Sequence, residues 1–185
     1  DRMFFYQNSP LKNEFHSMFA SLFDNDSPHL SIIEALGTNK AGMTRNEILS
    51  TSNLYDNATF SNALEELEQC TFVRKFYAYK KKSKDILYQL IDNFTLFYFH
   101  YISRNSSHDT DFYTHSAGTK NRTSWQGIAF ERLCLWHIPQ IKKKLGISGI
   151  ITSVNSWRTS AGSNHEGAQI DLLIDRADDV VNVCE

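Results

Sequence analysis

Along the first ninety positions, apolar residues recur at helical spacing in short bursts and then switch to the two-residue period of strands. Leu11, Phe15, Met18, Phe19 and Leu22 form a one-sided stripe that predicts an opening helix. Ser27 followed by Pro28 reads as an N-cap with proline at the first helical position, and Leu30, Ile33 and Leu36 carry that helix to Gly37. Thr44-Arg-Asn-Glu47 is a capping box that opens a second short helix through Ile48 and Leu49. A third helix is expected from about Asn57 to Cys70, burying Phe60, Leu64 and Leu67. Two strand-like runs follow, FVRKFYAY and ILYQLI, joined by the turn KKKSKD.

Three short helices and a hairpin follow the order of a winged helix-turn-helix, whose third helix can enter a major groove while the hairpin tracks phosphates. Asp92 to Ser103 reads as an aromatic exit helix, and the polar stretch from Arg104 to Thr123 as a linker. A helix from about Ser124 to Leu145 comes next, broken or kinked at Pro139 and ended by Gly146. Strands are expected at about 149–158, 168–176 and 180–185. The fold class read from this order is α+β, a winged helix-turn-helix followed by a small α/β core. The predicted divisions are 1–26, the helical end of a preceding region; 27–103, the winged helix; 104–123, the linker; and 124–185, the second domain.

Composition narrows the class. The chain has 185 residues, 41% hydrophobic and 13% aromatic, too rich in Phe and Tyr for disorder. Apolar runs such as TLFYF are far shorter than a membrane span, and no charged-then-apolar leader opens the chain, so the expectation is a soluble cytoplasmic protein with no membrane partner. The three cysteines, Cys70, Cys134 and Cys184, lie far apart and suggest neither a disulfide framework nor structural zinc. Cys134 and His137, three apart on one helix, read as packing. The start at Asp1 and the stop after the strand-like VVNVC suggest a piece of a longer chain.

Net charge is only −2, but its distribution is uneven. Arg74, Lys75, Lys80, Lys81, Lys82 and Lys84 stand against the single acid Asp85 within nineteen residues, which makes the hairpin a candidate phosphate-binding wing. Asn57, Thr59 and Asn62 are the candidate groove-facing residues of the third helix. Glu65, Glu66 and Glu68 on the same helix oppose that use.

Three carboxylates are candidates for chemistry. A three-residue turn at Ala177-Asp178-Asp179 pairs strand residues whose numbers sum to 356, setting Asp171 opposite Glu185 and Leu173 opposite Val183. Like charges opposed in a sheet are destabilising, and a divalent cation is the usual compensation. Gln169 shares the face of Asp171. Glu131 sits in the apolar stripe of its helix between Ile128 and Leu135, where a solvated glutamate is unexpected. The competing readings are a one-residue change of turn, which would separate Asp171 from Glu185, and a rim position for Glu131.

GAQIDLLIDR, a short turn and VVNVCE resemble two motifs of the PD-(D/E)xK nuclease superfamily, an Asp early in one strand and a Glu-x-Lys in the next, with a helical Glu upstream. Asp171, Glu185 and Glu131 match those places; the family lysine would fall two residues beyond Glu185. The wider string SLFDNDSPHLSIIEAL, GMTRNEIL, LEELEQCTFVRKF, LYQLIDNFTLFYF and AFERLCLWHIPQIKKKLGI is similar to the C-terminal region of a family of prokaryotic AAA-type P-loop ATPases, in which a winged helix precedes a restriction-endonuclease-like domain. The resemblance implies a truncated endonuclease-like core in which Asp171, Glu185 and Glu131, with Gln169 beside them, hold Mg²⁺ for phosphodiester cleavage. It also implies DNA, the chain's own ATPase domain and further copies of the chain as partners, with ATP bound only by a preceding domain, since no G-x-x-x-x-G-K-[ST] occurs here. The alternative it carries is a catalytically silent interaction module of that ATPase.

Overall fold

The computed structural model describes every residue except 7, 78, 80–85, 104–108, 160–165 and 185, and only the backbone of 158. The described chain is α+β, with eight α-helices and two small antiparallel sheets.

The N-terminal half holds most of the buried apolar surface. Helix α1 (Glu14–Leu22) buries Phe15 and Phe19 from the expected stripe, while Leu22 stays exposed. Helix α2 (Ser27–Gly37) starts one residue earlier than its cap signal implied. Ser27 is already helical, and Asp26 occupies the N-cap place without a side-chain cap bond, because Pro28 fits the first turn whether it stands first or second. Helix α3 (Arg45–Ser52) begins with both halves of the Thr44–Glu47 capping box formed. Helix α4 (Ala58–Gln69) is capped by Asn57, whose Oδ1 accepts from Phe60 N–H at 3.0 Å. Phe60, Leu64 and Leu67 of α4 join Ile32, Ile33, Leu36 and Ile48 in one core.

Strands β1 (Val73–Tyr77) and β2 (Ile86–Leu90) form the expected hairpin, Arg74 opposite Gln89 and Phe76 opposite Leu87. Met43 adds a bridge to Tyr88 through two backbone bonds of 2.8 Å. Gly42 makes that approach feasible: its φ is 92°, and a Cβ there would lie 3.0 Å from the Tyr88 carbonyl.

The exit helix divides. Helix α5 (Asn93–Phe97) runs into a π-helical turn over Tyr98–Ile102, where Tyr98 stacks on Phe15 at 3.9 Å and Tyr101 packs edge-on to Trp125. The expected linker is partly structured: Phe112–His115 forms α6, and α7 (Lys120–Trp136) starts four residues before Ser124, capped by Thr119. Of the two effects expected near Pro139, the break is the one found. The chain breaks at His137 and resumes as α8 (Ile138–Lys144), with proline in its first turn where the missing N–H costs nothing.

Strands β3 (Thr152–Thr159), β4 (Ala168–Arg176) and β5 (Val181–Cys184) form an antiparallel meander in that order, with an irregularity between Asn155 and Trp157. Leu172 and Ile174 of β4 pack with Ile147, Leu135, Ile138 and Ile141 in a second, much smaller core. Among the described residues, no helix is long and apolar enough to cross a membrane.

Candidate functional site at the seam of the two halves

Residue Arg132 of α7 joins the halves. It is 0% exposed, and its Nε donates to the Leu90 carbonyl at 3.0 Å while Nη2 donates to the Lys40 carbonyl at 2.7 Å. Both acceptors belong to the N-terminal half. Its remaining amine pairs with its own neighbour, Glu131. Among the described residues, further bonds cross the seam: Trp136 Nε1 donates to the Ile91 carbonyl at 3.3 Å, Tyr79 N–H to the Ser156 carbonyl at 2.8 Å, and Lys40 Nζ to Ser124 Oγ at 3.4 Å. A buried guanidinium without these partners would be costly, so its satisfaction ties α7 to the end of β2 and to the segment before Met43.

Next to this clamp, Glu131 and Asp171 line one crevice with Arg74, Gln89, Ser156, Trp157 and Gln169. Its volume is about 10 Å³, enough for one water-sized particle. Arg74 reaches it from β1: Nε donates to Gln89 Oε1 at 2.6 Å, and Gln89 Nε2 donates to the same Lys40 carbonyl, also at 2.6 Å. The guanidinium lies 4.2 Å from the Phe76 ring centre. Gln169 donates to Asp171 Oδ1. On their other side the two carboxylates border an apolar groove of about 560 Å³, lined by Ile128, Phe130, Leu135, Ile141, Leu172 and Cys184 among others.

The electrostatics follow from burial and proximity. Burial, and then the charge of Asp171, push the Glu131 carboxyl above its ordinary value, against the opposing pull of Arg132 and Arg74. Burial pushes Arg74 down to about 10, with the like charge of Arg132 adding to the fall and both carboxylates resisting it. Burial also lowers Arg132, partly offset by Glu131 and Asp171. Two acids and the Arg74 guanidinium thus line one crevice, with the buried charge of Arg132 close behind it.

No protein-family model, curated protein or solved structure matches this chain.

Of the sequence candidates, Asp171, Glu131 and Gln169 come together. The β4–β5 register has Leu173 opposite Val183, as the turn length implied; Glu185 lies outside the described residues. Among the described residues, no three His, Cys, Asp or Glu side chains are placed to hold a metal ion. His137 Nδ1 lies 2.8 Å from its own helix carbonyl, Leu133 O. Of the wing residues, Lys75 is exposed, Arg74 points into the seam, and Lys80, Lys81, Lys82 and Lys84 lie outside the described residues. Asn57 is engaged as a cap, while Thr59 and Asn62 line a surface groove with Asp24, His29 and Glu66, a more acidic setting than a duplex-facing helix would favour.

Sequence reasoning missed Arg132, Gln89 and the inward aim of Arg74. Arg132 follows Glu131 directly, so a helical wheel assigns it to a different face. Arg74 was hidden among basic neighbours whose signal was their summed charge.

Proposed function

We propose that this chain is a DNA-binding, nuclease-like module of a larger ATPase, a winged helix joined to an endonuclease-like core, with its metal and phosphodiester site at Asp171 and Glu131. One observation carries the reading: a helical glutamate and a strand aspartate forty residues apart line the same crevice and reach the same groove. The helix order and the Met43–Tyr88 bridge beside the hairpin support the winged-helix part.

The donor set fits Mg²⁺, which commonly takes one or two carboxylates and completes its shell with water and phosphate oxygens. Asp171 and Glu131 would hold it, with Glu185 as the further carboxylate of the sequence motif. When bound, the ion would supply charge stabilisation at a phosphoryl oxygen and a more acidic water. The protein's own contribution is positional. Gln169 steadies Asp171 through its amide, and Arg132 fixes the α7 backbone beside Glu131.

A second reading, a catalytically silent interaction module, is favoured by the Glu131–Arg132 pair, which already satisfies one carboxylate, and by the contact of Tyr79 with β3. Duplex binding separates the two. Contacts from Lys75 and the four lysines of the turn predict a slope of log affinity against log salt of roughly −4 to −5, and Lys80, Lys81 and Lys82 all changed to Ala should flatten it by about 3. Fluorescence anisotropy of a labelled duplex gives the slope. Absence of binding at low salt, or an unchanged slope in the triple variant, favours the interaction module.

A further inference from the structure

Arg74 belongs to the N-terminal hairpin, yet it lines the crevice of the carboxylates from the C-terminal half. Its position is built rather than incidental. The Nε bond to Gln89 and the Phe76 ring hold the guanidinium directly, and the Gln89 bond to the Lys40 carbonyl fixes the amide that receives it. An arginine whose Nε is occupied by a neutral amide keeps its outer amines for an anion, and guanidinium matches the geometry of phosphate oxygens. The crevice accepts an object the size of one oxygen atom, while the 560 Å³ groove beyond the carboxylates is large enough for a nucleotide-sized group.

We infer that Arg74 anchors a non-bridging phosphate oxygen of a phosphodiester that enters by the groove, making the site a composite of both halves of the chain. This rests on the functional reading above. Asp171 and Glu131 are cation-binding groups in that reading, whereas Arg74 is an anion-binding group, so its removal acts oppositely on the two ligands. In Arg74→Gln the crevice loses a positive charge that repels a metal ion, and Mn²⁺ binding stays equal or tightens. The same change removes the charged donor for phosphate.

The test uses the 185-residue chain, Mn²⁺ alone by calorimetry, and the dinucleotide dTpdT with Mn²⁺ present by NMR titration. Arg74→Gln is expected to weaken dTpdT about ten-fold without weakening Mn²⁺, and Arg74→Lys to recover part of the loss, as a point charge without the fork geometry does. In the unsubstituted chain the Arg74 Nε–H resonance should shift with dTpdT, a readout that does not depend on either variant folding. Equal dTpdT affinity in Arg74→Gln, or an unmoved resonance while dTpdT binds, overturns the inference and leaves the metal reading standing. A parent chain that binds neither Mn²⁺ nor dTpdT overturns both.

Discussion

Glu131 shows how a single carboxyl records its surroundings. Its side chain keeps 24% of its exposure, and desolvation with the charge of Asp171 outweighs the attraction of two nearby guanidiniums. The folded protein therefore holds this proton more tightly than the unfolded chain does. The resulting stabilisation is complete below the unfolded value of about 4.5 and is lost as pH rises through the raised folded value. Urea unfolding of the parent and of Glu131→Gln is expected to show a stability difference, parent minus variant, that falls as pH rises above 4.5. A difference that stays constant or rises would mean that burial does not raise the Glu131 carboxyl. The exposed pair of His115 and Asp109, 2.7 Å apart, gives the opposite case for the carboxyl. The hydrogen bond lowers Asp109 and raises His115. An NMR titration of His115 should find its midpoint above 6.5, and Asp109→Asn should bring it down; an unmoved midpoint would contradict the pairing.

Among the elements, those with a local stop and start signal were the legible ones. The capping box of α3, the start of α4 near Asn57, the hairpin pair and the β4–β5 turn all depend on contacts within a few residues, and each lies where the pattern placed it. Thr44→Ala should lower unfolding free energy by about 1 kcal/mol, because it leaves the Glu47 N–H without its cap in a helix of only eight residues. No loss in chemical denaturation would show that α3 is held by packing of Ile48 alone. The misread elements are those whose signals compete. Arg104 to Thr123 is polar enough to pass for a linker, but Phe112 and Tyr113 are drawn to Phe5, Phe97 and Tyr101, and that aromatic packing orders α6. Thr119 then caps α7 ahead of the apolar stripe.

For the whole molecule, the seam between the halves was the least legible feature, because it is built from long-range bonds to backbone carbonyls. Neither Lys40 nor Leu90 advertises in sequence that its carbonyl awaits an arginine ninety-two or forty-two positions away. Arg132→Ala takes a charged donor from the Leu90 and Lys40 carbonyls, of which Lys40 keeps its bond from Gln89, and leaves Glu131 without its partner, and should cost about 3 kcal/mol or more. Hydrogen exchange should speed up in β2 and α7 together, whereas faster exchange in α7 alone would show that the halves are not coupled through this residue. The convergence of Glu131 and Asp171 is the part of the site that spacing did suggest, since each lies among apolar neighbours that pin its element to the small core. Calorimetric titration of the chain with Mn²⁺ reports whether that convergence makes a cation site. One ion is predicted to bind, with at least about ten-fold weaker binding in Asp171→Asn, a loss of roughly 1.4 kcal/mol or more. No binding by the parent chain, or equal binding by Asp171→Asn, would contradict it.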